Sequence, residues 1–66
     1  MISLTRLNGQ SFMLNANLIE QAEAVPDTTI TLTSGKKLVV KETVDEVRRK
    51  AVEFYQSIGY FATKHV

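Results

Sequence analysis

The dipeptide Asn8-Gly9, set between two stretches of strand formers, constrains the fold of this chain more than any other feature. A tight type I′ turn needs φ > 0 at both central residues, which Asn and Gly tolerate best, so Asn-Gly here predicts a β-hairpin. Its strands are predicted over residues 2–7 and 10–14. Asn15-Ala16-Asn17 then turns the chain, because Asn bonds its own backbone readily. A third strand is predicted over 18–25, although Ile19-Glu20-Gln21-Ala22-Glu23-Ala24 holds good helix formers and propensity alone allows a helical turn.

The second half continues in the same style. Pro26-Asp27-Thr28 is a stop and turn, and residues 29–33 alternate polar and apolar with the period of a half-buried strand, Ile30 and Leu32 inward. Ser34-Gly35 marks a second tight turn. Residues 36–41 return as a strand with Leu38 and Val40 inward, while Val39 on the opposite face points to a second buried surface. Thr43-Val44-Asp45-Glu46 is a capping box, in which hydroxyl and carboxylate reciprocally satisfy the backbone N–H groups of a helix start. Val44, Val47, Ala51, Phe54, Tyr55 and Ile58 line one stripe of the helix that follows, predicted over 44–58, with Gly59 as its stop. The fold class is therefore α+β: a small antiparallel β-sheet or partly open barrel of four to five strands followed by one C-terminal amphipathic helix. One domain accounts for residues 1–66.

A chain of 66 residues buries only about 60% of the surface its unfolded form exposes, so small domains usually recruit disulfides, a metal or a second copy. There is no cysteine, and the single histidine, His65, stands alone near the C-terminus. Homo-oligomerisation is the remaining supplement and is expected here. No apolar run exceeds three residues, far short of the ~20 that cross a bilayer, and no signal-peptide pattern opens the chain. A cytoplasmic location without a membrane span is expected, with peripheral docking at a membrane complex still open.

The residue inventory argues against catalysis. A nucleophilic triad needs a base beside its nucleophile, and His65 is the one imidazole. Glu20 and Glu23 read as a solvated face, since buried carboxylate pairs are rare. Glycines occur only at 9, 35 and 59, each at a turn or helix end, so no phosphate loop exists. The expectation is a non-enzymatic protein with no cofactor, no metal and no small-molecule substrate.

Residues 1–33 carry one Arg against three acids, and residues 34–66 carry seven Lys and Arg against four. Lys36, Lys37, Lys41, Arg48 and Arg49 are candidate partner-binding residues in the basic half; the plainer reading is a charged edge strand and helix face kept soluble. Tyr60 and Phe61, beyond the helix stop, either close the core or anchor a partner. The alternative function is a small nucleic-acid-binding regulatory module, although the basic imbalance is too mild for a dedicated one.

Leu4-Thr5-Arg6-Leu7-Asn8-Gly9, Leu14-Asn15, Leu18-Ile19-Glu20, Pro26-Asp27-Thr28, Ile30-Thr31-Leu32 and Gly35-Lys36-Lys37-Leu38-Val39-Val40-Lys41-Glu42 together resemble the FlbD family. This is the short flagellar and swarming-motility family that includes SwrD-type proteins. The resemblance runs from the N-terminus to about residue 55 and keeps both turn glycines in register. It implies a cytoplasmic accessory of bacterial flagella, with a motor or basal-body protein as partner and no catalytic residue to carry over.

Overall fold

The computed structural model describes residues 1–57. In chain order it contains β1 (Ile2–Thr5), β2 (Ser11–Leu14), a 3-10 turn at Ala16–Leu18, β3 (Ile19–Ala24), β4 (Thr28–Leu32), β5 (Lys37–Val40) and α1 (Val44–Ser57). This is the expected α+β architecture, with the strands divided between a two-stranded antiparallel sheet, β1-β2, and a three-stranded one, β3-β4-β5.

The first hairpin forms where Asn8-Gly9 predicts it, with a different turn. Leu7, Asn8 and Gly9 make a three-residue loop closed by Arg6 N–H to the Gln10 carbonyl (2.8 Å) and Gly9 N–H to the Arg6 carbonyl (2.9 Å). Only Gly9 has positive φ (92°). This is a type I turn followed by a glycine bulge, not the type I′ turn expected from the dipeptide. Asn8 keeps an ordinary backbone and uses its side-chain oxygen to accept from Gln10 N–H at 2.9 Å. The loop draws Arg6, Leu7 and Gln10 out of the strands predicted over 2–7 and 10–14, which shorten to β1 and β2. The second hairpin repeats the device: Leu32 N–H reaches Lys36 O, Gly35 N–H reaches Leu32 O (both 2.8 Å), and Gly35 has φ 91°.

Residues 19–24 are strand despite their helix formers. Ala22 lies opposite Ile30 and Ala24 opposite Thr28, with an irregularity between Ile19 and Gln21. The reason is tertiary: β4 is a central strand, and β3 satisfies the row of backbone groups that β5 leaves unpaired. Asn15 starts the 3-10 turn before β3, its side chain accepting from Asn17 N–H at 3.0 Å. The Val25-Pro26 peptide between β3 and β4 is cis.

One bridge, Arg6 to Val40, joins the two sheets. Beside it, Lys41 N–H donates to Thr5 O at 2.8 Å. These contacts set the end of β1 beside the end of β5, so the two small sheets meet as one body rather than closing into a barrel. The interior is centred on Leu4, Ile30 and Val40, fully buried, and ringed by Ile2, Leu14, Ala16, Leu32 and Val47. Each large member contributes about 1.5–3 kcal/mol relative to exposure. Ile30, Leu32 and Val40 thus take the inward positions expected of them, and Leu38 is half-buried against the same core. Val39 is exposed (40%), so within the described residues it has no second buried surface.

The capping box forms as predicted. Thr43 N–H donates to Glu46 Oε1 (3.0 Å) and Glu46 N–H to Thr43 Oγ1 (3.1 Å). From this start α1 lies against β1 and β3. Val47 is buried on it, and Ala51, Phe54 and Tyr55 pack half-buried on the core. The Tyr55 hydroxyl donates to Ala16 O at 3.3 Å, pinning the helix to the turn that precedes β3. The expected helix end at Ile58, its stop at Gly59, and Tyr60 and Phe61 lie outside the described residues.

Candidate functional site

Three connections converge at one end of the two sheets: the β1-β2 loop, the cis-proline turn between β3 and β4, and the β5-α1 junction. They enclose a groove of about 470 Å³ whose apolar walls include Leu7, Ala24, Pro26, Val40 and Val44. Asp27, Lys41 and Asp45 supply its charges. Leu7 is half exposed (50%), and Val25, in the same turn as Pro26, is more so (64%). Large aliphatic side chains exposed on adjoining loops form the kind of surface that marks a contact site.

Between the groove residues Lys41 and Thr43 stands Glu42. Glu42 joins the end of β1 to the start of α1, its two carboxylate oxygens accepting from Thr5 N–H and Thr5 Oγ1–H, each at 2.9 Å. Partial burial works to raise the Glu42 pKa, but the two Thr5 bonds, helped by the Lys50 charge, outweigh it and hold the carboxyl below its ordinary value. Glu46 is likewise lowered by the Thr43 backbone and hydroxyl bonds of the capping box. Both carboxylates are therefore acceptors in the neutral range, holding backbone geometry. Among the described residues no three His, Cys, Asp or Glu side chains gather as metal ligands. Glu20 and Glu23 are exposed on β3.

Of the residues singled out from the sequence, Lys41 lines the groove. Lys36 and Lys37 sit at the other end of β5, exposed at the β4-β5 hairpin. Arg48 and Arg49 are exposed on α1 near Asp45, Glu46 and Glu53, a face of mixed charge. Arg48 reaches Asp45 at 3.8 Å in an exposed i,i+3 pair. Tyr60 and Phe61 lie outside the described residues. Sequence reasoning missed Leu7 and Pro26 as site residues, and the exposed Val25 beside Pro26. One signal was available: in a strand over 2–7, Leu7 breaks the alternation that sends Ile2 and Leu4 inward.

Fold and site together define a small α+β protein, two small antiparallel sheets followed by one helix, that offers an apolar groove at one end. The chain belongs to the FlbD family of flagellar and swarming motility proteins, whose model matches residues 1–59. Comparison with curated proteins and with solved structures returned no match. Among the described residues no helix is long and apolar enough to cross a membrane.

Proposed function

We propose that this protein is a non-enzymatic accessory of the bacterial flagellum, acting in the cytoplasm by contact with a motor or basal-body protein. Family membership supports the flagellar setting. The observation that carries the contact reading is the groove, with half-exposed Leu7 on one wall and Val25 beside Pro26. An exposed aliphatic pair costs solubility, and a partner that covers it recovers that apolar burial. The nucleic-acid alternative gains less support, because the basic residues are distributed over a hairpin end, the groove and a mixed-charge helix face.

The test pairs a swarm-plate assay with a melting curve. Leu7→Asp, in an exposed loop, is expected to shift the melting curve little and to reduce swarming clearly. Normal swarming by this variant, with loss in Lys36→Glu/Lys37→Glu/Lys41→Glu or in Tyr60→Ala/Phe61→Ala, would move the contact surface to those residues. Normal swarming and swimming in a clean deletion strain would sink the flagellar reading altogether.

A further inference from the structure

We propose that Asn8 is a site of spontaneous covalent modification, in which the Gly9 nitrogen displaces the Asn8 side-chain amide, and that the closed β1-β2 hairpin holds this reaction back. The chemistry requires water alone as co-reactant. Gly9 N loses its proton and attacks Asn8 Cγ; the N–Cγ bond forms, the Cγ–Nδ2 bond breaks, and the amide departs with a proton as ammonia. The resulting five-membered imide then takes up one water. Opening at Cγ yields aspartate, and opening at the main-chain carbonyl carbon yields an isoaspartyl linkage. No oxidant or reductant enters.

Three observations select this position. Asn8 and Gly9 are both exposed at a loop tip, where asparagine's heat-labile amide is open to attack. Gly9 has no side chain, and beyond its two chain neighbours nothing lies within 4 Å of the place a Cβ would occupy, so no side chain crowds the Asn8-Gly9 peptide. The other asparagines are followed by residues with side chains, Asn15 by Ala16 and Asn17 by Leu18, and Asn15 is engaged in capping the 3-10 turn.

The same loop supplies the restraint. Bringing the Gly9 nitrogen onto Cγ requires rotation about the Asn8 Cα–C bond, which swings the Gly9 N–H away from Arg6 O. That hydrogen bond (2.9 Å) and the Arg6 N–H to Gln10 O bond beside it (2.8 Å) close the hairpin. The Asn8 side-chain oxygen is also held on Gln10 N–H at 2.9 Å. Reaction therefore proceeds from the opened loop, and its rate follows the population of that state. An isoaspartyl link inserts a methylene into a loop built for three residues and adds a carboxylate. Leu7, the preceding residue, lines the groove, so the modification alters the candidate contact surface; the covalent step itself stands whether or not that surface binds a partner.

The experiment incubates the purified full-length chain at neutral and mildly alkaline pH, folded and in urea, and follows each asparagine by peptide mapping and isoaspartyl detection. Conversion is expected at Asn8 well ahead of Asn15 and Asn17, faster at the higher pH. Urea should accelerate it by roughly tenfold or more, as expected when two or three hydrogen bonds no longer close the loop. Gly9→Ala, compared in urea where folding plays no part, should slow it. Equal rates at the three asparagines in urea would overturn the site, and equal folded and urea rates at Asn8 would overturn the restraint.

Discussion

Thr5 and Glu42 show how much one side chain holds. They are 37 residues apart in sequence, yet the bidentate contact fastens the first strand to the entry of the helix. Because the folded state holds the Glu42 pKa below its unfolded value, the contact stabilises above that unfolded value. Its contribution is lost as pH falls through the lower folded pKa. Glu42→Gln is expected to cost about 1 kcal/mol near neutrality, a charge-assisted pair discounted for solvent screening. Melting curves of both proteins across the acid range should converge as pH drops through the lowered Glu42 pKa, below the ordinary carboxylate range. A gap that persisted unchanged into strong acid would show that the carboxylate charge is not what matters. Arg6, next in sequence to Thr5, adds a smaller local contact, its guanidinium 4.3 Å from the Phe12 ring centroid.

At the level of elements, the two hairpins are variations on one solution. Each is a three-residue loop with glycine last, at φ 92° and 91°, and in each the preceding side chain accepts from the N–H after the glycine, Asn8 from Gln10 and Ser34 from Lys36. A Cβ at either glycine meets open space, so its cost is conformational alone. Gly9→Val and Gly35→Val should each destabilise by about 1–2 kcal/mol or more, the valine branch adding to the usual penalty for positive φ. Melts that overlay the wild type would show that the loops adopt another turn at no cost. Asn-Gly announced its hairpin correctly but not its turn type, because the turn depends on which residues the strands pair. Arg6 with Gln10 leaves three residues to the loop and sets Asn8 at negative φ. The third strand was ambiguous for the same physical reason, since its backbone pairing comes from β4, beyond a proline turn.

At the scale of the whole molecule, the core of eight buried apolar residues among those described is modest, and a chain without cysteine has no disulfide to supplement it. Met13, Val25, Leu7 and Val39 remain exposed. A homo-oligomer is the expected supplement. Light scattering at tens to hundreds of micromolar should give a mass above the 7.4 kDa of one chain; a monomer throughout, folded and cooperative in its melt, would assign those apolar residues to other partners.

The sequence by itself determined the local devices: glycine-ended hairpins, the capping box, the inward places of Ile30, Leu32 and Val40, and the apolar stripe of α1. Each depends on residues within a few positions, where backbone sterics and hydrogen bonding decide the outcome. It also carried the family resemblance, since order and spacing of such devices survive in a linear string. Tertiary structure settled the strand read over 18–25 against its helical alternative, at residues 19–24, and it alone decided that the strands divide into two sheets joined at Arg6 and Val40, and that Glu42 reaches Thr5. Those outcomes rest on contacts between distant segments. The groove belongs with them: Leu7, Pro26 and Val44 are far apart in sequence and become neighbours only when three connections close over one end of the two sheets.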